Sequence, residues 1–456
     1  MVKEEISELE QYHDLDEITF AEYDRVTLLP SVDVFKNIVK NKIRNSIRNN
    51  TSASLILFDI DNFKHVNDSF GHEFGDNMLR MISSEVRNSI HSEALMCRYS
   101  ANTFILFQSS EIEHEIKETI EEIFNVFKQS HEDIYLTISM GISVVPKDGI
   151  SYDFLLKNAD IAMYEAKQNG KNKYEFFSNE MGNKVVKEYA LKKELRTSLE
   201  NNEIYVVYQP KVSLENYTVQ GFEALVRWNN KKFGEISPGK FIPIAEESKM
   251  IVPIGSFVLE EVCRKIKFLS SKGYNNFKIA VNLSEVQFQE EIINNVLRKL
   301  IKKYQISSRH LELEITESMF MKSFESNLKV LKEIKDIGIT IALDDFGTGY
   351  SSLSYLTKLP IDVLKIDRSF ILDVCNNPKE KCMVESIIRL SHQLGIQVVA
   401  EGVEEEEQAE YLKAIFCDFV QGYFFSKPKH FNEIIDMVDK KYKKCWQSSL
   451  KRILYI

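Results

Sequence analysis

An α+β domain with a central antiparallel sheet, followed by a (β/α)8 TIM-like barrel, is the α/β and α+β architecture that this 456-residue sequence predicts. Two observations predict it. Strand and helix periodicities are mixed between Asp24 and Phe177, whereas from Ile204 onward short apolar strands alternate with helical segments in seven or eight units. In addition, polar residues close seven apolar runs of the second half, and in a barrel the carboxyl ends of the strands carry the chemistry.

Residues 1–23 are acidic and read as an N-terminal tail. The first domain covers 24–177. Within it SLILFDI (54–60), TFILF (103–107) and IYLTISMGISVV (134–145) are apolar enough for buried strands. Helical spacing runs over 76–90, 109–129 and 152–172, the last stopping at a Gly-Lys-Asn sequence. Residues 178–201 lack Pro and place Val185, Tyr189, Leu191, Leu195 and Leu199 on overlapping apolar faces, which predicts a helical connector stiffer than a Gly/Ser string. The barrel then occupies 202–456, and its last segment is amphipathic, then basic, suited to capping the barrel.

Composition excludes several classes. With 44% hydrophobic residues the chain can fill packed cores, and a net charge of −10 argues against a duplex nucleic-acid binder. Its six cysteines form no CxxC pair, which fits a reducing cytoplasm better than a disulfide scaffold. The N-terminus has no apolar core of a signal peptide, and no window carries the roughly 18 apolar residues of a membrane span.

The residues ending the apolar runs are Glu223, Asn282, Glu314, Asp344 with Asp345, Lys365, Glu401 and Gln421. One acid beside a buried strand is ordinarily a solvated rim residue. Five returning at barrel periodicity imply a shared mouth, and that much negative charge needs compensation. Oxygen ligands without His suit Mg²⁺ or Mn²⁺. Two ions about 4 Å apart, bridged by a carboxylate such as one of the Asp344–Asp345 pair, form a phosphodiester-cleaving arrangement. Lys365, being cationic, is expected to orient water or stabilise charge on phosphorus.

Residues 190–430 resemble the EAL family of cyclic-di-GMP phosphodiesterases. The name motif stands as Glu223-Ala224-Leu225, and VNLS (281–284), LELEITES (311–318), DDFGTGYSSL (344–353), LKIDRSF (364–370), AEGVE (400–404) and QGYFFSKP (421–428) follow in family order. The resemblance implies hydrolysis of cyclic di-GMP to linear pGpG with two Mg²⁺ or Mn²⁺ ions held by Glu223, Asn282, Glu314, Asp344, Asp345 and Glu401. It further implies that Lys365, Glu404 and Gln421 position water, that Gln209 and Arg227 touch the dinucleotide, and that Glu317 braces the loop after Asp345. It also implies a cytoplasmic homodimer. A receptor that holds cyclic di-GMP and signals through protein partners without cleaving it is the alternative; the complete set of acids argues against it.

Residues 24–177 resemble the GGDEF diguanylate cyclase family in FDIDNFKHVNDSFGHEFGD (58–76) and ADIAMYEAKQNGKNKY (159–174). Where that family has its Gly-Gly-Asp-Glu turn, this chain reads Ser100-Ala101-Asn102-Thr103. Asn102 is a neutral ligand and Thr103 cannot replace a carboxylate, so a metal pair on GTP loses half its protein charge. No cyclase activity is expected. Asn67 and Asp76 match guanine-reading positions, and Lys64, Lys167 and Lys171 match phosphate-side positions. Either these are structural leftovers, or the domain binds GTP without turnover and regulates the barrel.

Overall fold

The computed structural model describes residues 22–110, 113–128, 134–289, 292–317, 319, 324–347 and 356–438. Residues 1–21 of the N-terminal tail, the 348–353 part of the DDFGTGYSSL block and the C-terminal segment from 439 onward lie outside them. The chain divides into two compact units, 1–189 and 190–456. Among the described residues no helix is long and apolar enough to cross a membrane.

The first unit is a five-stranded sheet with helices packed on it. Its strands are β1 (Ser52–Ile60), β2 (Leu95–Arg98), β3 (Thr103–Ser110), β4 (Ile138–Val145) and β5 (Tyr174–Phe176). They lie in the order β2-β3-β1-β4-β5, antiparallel except for the β4–β5 pair. Both faces of the central strand β1 are buried, which is why its sequence is a nearly unbroken apolar run. The helix Tyr152–Gln168 starts where the Ser151 hydroxyl accepts from the Phe154 amide. It crosses β4 so closely at Gly141 that an added Cβ would lie 2.0 Å from the Ala159 carbonyl oxygen.

The expected connector is a helix over Asn179–Leu195, shorter than 178–201. It is not an independent element. Met181 and Val185 pack on Ile161 and Phe177 of the first unit, whereas Leu191 and Leu195 belong to the core around Trp228 and Phe241 of the second.

The second unit is a closed barrel with β8 (Gly234–Ile236) hydrogen-bonded outside the ring. Its eight strands are β6 (Ile204–Ser213), β7 (Val219–Asn230), β9 (Lys278–Asn282), β10 (Leu311–Thr316), β11 (Thr340–Phe346), β12 (Val363–Ile366), β13 (Gln397–Ala400) and β14 (Phe419–Val420). Strands β7 and β9 to β14 run parallel, with helices in the connections. Strand β6 runs antiparallel to both of its neighbours, β7 and β14. The barrel is therefore not the uniform strand–helix repeat that the sequence pattern suggests. The cause is local: only Leu214–Thr218 separates β6 from β7, enough for a hairpin and too short for a crossover helix.

Candidate active site

Each of the eight barrel strands, or the residue directly after it, brings at least one polar side chain to the same end of the barrel. Gln209 comes from β6, Glu223 from β7, Asn282 from β9, Glu314 from β10, Asp344 from β11 and Lys365 from β12, while Glu401 and Gln421 directly follow β13 and β14. The pairing registers align them: Gln209 faces Glu223, and Asn282 faces Glu314. The backbone amides of Glu401 and Gln421 continue the ladder onto Ile366 and Ala400.

Lys365 stands at the centre, 1% exposed. Its Nζ lies 2.6 Å from Glu401 Oε1, 2.8 Å from Glu314 Oε2, 3.0 Å from Asp344 Oδ2 and 3.9 Å from Glu223 Oε2. Glu223 also accepts from Asn282 Nδ2 at 2.7 Å and from Gln421 Nε2. Gln421 Nε2 reaches Gln209 Oε1 at 3.2 Å, and Gln209 Nε2 donates to the Ser426 carbonyl at 3.2 Å.

Two consecutive acids share this rim because β11 is irregular. Successive strand residues ordinarily point to opposite faces. Here the register slips between Leu343 and Phe346, and Asp345 takes a left-handed φ of 55°. A bulge of this kind re-aims a side chain. Asp344 is buried, Asp345 is exposed at the rim, and the Asp345 amide donates to Asp344 Oδ1 at 2.9 Å.

One ammonium cannot neutralise all these acids, and the protonation equilibria reflect that. Burial opposes the charge on Lys365, yet the surrounding carboxylates raise its pKa well above the usual lysine range. Burial also opposes ionisation of Glu223, but Lys365 and the Gln421 and Asn282 amides prevail and lower its pKa. Burial and the Glu223 charge push Glu314 far up. Glu401 rises to about 8, chiefly through burial, with Asp344 and Glu223 adding repulsion. Partial burial and Asp344 raise Asp345.

Among the described residues no group of three or more acidic, His or Cys side chains is disposed to hold a metal ion. The carboxylates close on the ammonium instead. The donor set nevertheless fits hard divalent cations: it is all oxygen, and it remains short of positive charge, as the raised Glu314 and Glu401 show.

Not every expected residue joins the ring. Glu404 is exposed and pairs with Arg368 at 2.8 Å. Gly402, at φ 69°, turns the chain there, with the Arg368 side chain filling the space where a Cβ would sit. Arg227 donates to the Val226 carbonyl at 2.9 Å. Glu317 is half-buried at the end of β10, but the loop it was expected to brace lies outside the described residues.

In the first unit, Asp59 of β1 sits opposite Thr103 of β3. The Thr103 hydroxyl donates to Asp59 Oδ2 at 2.8 Å, and Lys167 Nζ lies 2.7 Å from Asp59 Oδ1. Asn102 Nδ2 donates to the Ile60 carbonyl at 2.8 Å. Lys167 is thus held by the acid, and Lys171 donates to Asn62 Oδ1 at 2.8 Å. Lys64 is exposed, Asn67 lies against Gly75, and Asp76 is half-buried one residue further on.

The family models settle the assignment. An EAL domain matches residues 192–428, and a diguanylate cyclase GGDEF domain matches 21–173. This chain is a tandem GGDEF–EAL protein. It is 34% identical over 425 residues to the bifunctional diguanylate cyclase/cyclic di-GMP phosphodiesterase MucR of Pseudomonas aeruginosa, covering 92% of this chain and 62% of that one. It is 32% identical over 412 residues to the cyclic di-GMP phosphodiesterase PdeR of Escherichia coli, covering 90% and 62%. This GGDEF–EAL chain spans between half and two thirds of the length of the first curated relatives it matches. Among solved structures, the PaMucR phosphodiesterase in its c-di-GMP complex superposes at a TM-score of 0.52 with 39% identity, covering 54% of this chain and 99% of that one. The S helix–GGDEF–EAL portion of Vibrio cholerae LapD, at 20% identity and a TM-score of 0.58 over 93% of this chain and 99% of that one, shares the fold.

Proposed function

We propose that the EAL barrel hydrolyses cyclic di-GMP to linear pGpG with divalent metal ions, and that the GGDEF-like unit makes no cyclic di-GMP and regulates the barrel. The observation that carries the reading is the ring of strand-end residues around Lys365, with Glu223, Glu314, Asp344 and Glu401 all within 3.9 Å of one ammonium. Relatives named as cyclic di-GMP phosphodiesterases agree with it.

Glu223, Asn282, Glu314, Asp344, Asp345 and Glu401 are the residues that would hold Mg²⁺ or Mn²⁺. Two such ions would polarise the phosphoryl oxygens and lower the pKa of an attacking water. Around them, Lys365 supplies a fixed positive charge that offsets negative charge growing on phosphorus. The Gln421 and Asn282 amides keep Glu223 oriented, because both donate to its carboxylate. The Gln209–Ser426 contact ties β6 to the segment after β14, so the floor of the site is held from both sides of the barrel's closing seam.

In the first unit, the Asp59 carboxylate already receives a hydroxyl and an ammonium, and neither Asn102 nor Thr103 brings a second carboxylate. Asn67 and Asp76 leave a base-recognition pair for GTP.

The test is direct. The full chain with Mn²⁺ or Mg²⁺ and cyclic di-GMP is expected to release pGpG. Glu223→Ala is expected to lower turnover at least about a hundredfold without unfolding the chain. Undiminished turnover in that variant would remove the ligand assignment. Tight binding by the parent chain without any pGpG would make it a receptor.

A further inference from the structure

A second polar cavity lies at the other end of the barrel. It measures about 350 Å³, within the size range of small-molecule sites, and it is lined by residues at the starts of the parallel strands and by Lys211 near the end of the antiparallel β6. Lys278 opens β9, Val363 opens β12, Gln397 opens β13 and Phe419 opens β14.

Three cations and one carboxylate line it. Lys211 of β6 and Lys278 of β9 flank Gly221 of β7 in adjacent register positions. Gly221 has no side chain to fill the gap, and a Cβ there would lie 2.5 Å from the Lys278 carbonyl. Lys211 Nζ pairs with Glu312 Oε1 at 2.6 Å. Burial, together with Lys211 and Lys335, outweighs the neighbouring acids and lowers the Lys278 pKa, as expected where cations are crowded. Arg309 is exposed at the edge, with Nε directed to His310 Nε2 at 3.4 Å. His310 donates through Nδ1 to the Phe277 carbonyl at 2.8 Å and stacks on the Phe277 ring at 4.5 Å, which gives the cavity a flat wall.

The decisive atom is Glu312 Oε2. Glu312 is 1% exposed, and this oxygen accepts no hydrogen bond from any described residue. A buried acceptor left unmade is costly, so an occupant with a donor is favoured. A cationic donor is disfavoured beside Lys211 and Lys278, so a neutral donor such as a hydroxyl suits this oxygen. The lining cations outnumber the carboxylate by two formal charges, matching the roughly −2 charge of a phosphate monoester near neutral pH.

We propose that this cavity binds a small hydroxylated phosphate monoester, its phosphoryl group between Lys278 and Arg309 and a hydroxyl donating to Glu312 Oε2. The proposal is independent of whether the opposite mouth hydrolyses cyclic di-GMP.

Calorimetric titration of the full chain with ribose 5-phosphate in EDTA tests it, since without divalent ions the acidic mouth repels a dianion. Saturable heat is expected, weakened about tenfold or more in Lys278→Gln and in Arg309→Gln, each a replacement at a solvent-accessible position. Glu223→Ala, at the opposite mouth, is expected to bind ribose 5-phosphate like the parent chain. Inorganic phosphate is expected to bind more weakly than the ester, and ribose not at all. Absence of saturable heat, or heat unaltered by both cavity substitutions, overturns the site. Equal affinity for inorganic phosphate and the ester overturns the role of Glu312.

Discussion

Replacing Lys365 with Met keeps an unbranched side chain one atom shorter and deletes the ammonium that pairs with Glu223, Glu314, Asp344 and Glu401 together. Three of those carboxylates lie within 3.0 Å of the ammonium, and Lys365 is buried. Removing one partner of a buried ion pair costs about 3–5 kcal/mol. Several partners are stranded here, but the stranded acids can take up protons, so the loss is capped near that range. For a domain of this size each kcal/mol moves the melting temperature by about 2–4 °C, so a fall of roughly 10 °C is expected in EDTA. Differential scanning calorimetry of the full chain reads it in the barrel's transition. Millimolar Mn²⁺ is expected to stabilise the variant more than the parent, because bound cations take over the missing neutralisation. A variant that melts within a degree or two of the parent in EDTA would refute the idea that the carboxylates depend on this ammonium.

Other outcomes follow from the same geometry. Glu401 has its pKa raised from 4.5 to about 8. A raised acid adds stability that is complete below its unfolded pKa and is lost as pH climbs through its folded pKa, so the metal-free barrel is expected to weaken between about pH 5 and pH 8. Mn²⁺ affinity is expected to rise over the same interval, since the ligand must lose its proton, and a flat affinity profile in titration calorimetry would count against Glu401 as a ligand. In the first unit, Gly141→Ala would place a methyl 2.0 Å from the Ala159 oxygen and 2.2 Å from the Met163 nitrogen. Backbone atoms yield poorly, so a loss of about 1–3 kcal/mol or more is expected by urea unfolding, and an unchanged midpoint would show that the helix does not sit tightly on β4. With Mg²⁺ and GTP, no cyclic di-GMP is expected to form; its appearance on a nucleotide chromatogram would show that Asn102 and Thr103 suffice. GTP titrated into the full chain is expected to bind, and absence of heat at millimolar nucleotide would end its regulatory role.

Much of the barrel mouth was legible because each contributing residue is a polar interruption at the end of an apolar run. Glu223, Glu314 and Lys365 needed no more than that signal and the strand-to-barrel count. The antiparallel course of β6 was also written in the chain, in the short Leu214–Thr218 gap, although the strand–helix rhythm further on masks it. What Lys365 does was less accessible. Its charge is evident, but only the packed interior places four carboxylates on it. The ion pair of Glu404 with Arg368, beside the left-handed turn at Gly402, was not legible in the sequence. Glu312 went unnoticed beside Glu314, although strand alternation puts residues two apart on one face. In the first unit, the loss of the acidic pair was plain from Asn102 and Thr103, whereas the capture of Asp59 by Lys167 depends on a helix returning from over a hundred residues away.

The seam between β6 and β14 has a consequence for synthesis. Ser213 pairs with Phe419, about two hundred residues later, so the ring stays open until nearly the whole barrel has left the ribosome. Gln421, which steadies Glu223 and reaches Gln209, arrives with that final strand. A nascent or truncated chain therefore carries its acids without the residue that completes their arrangement, and the polar mouth is whole only with the last stitch of the fold.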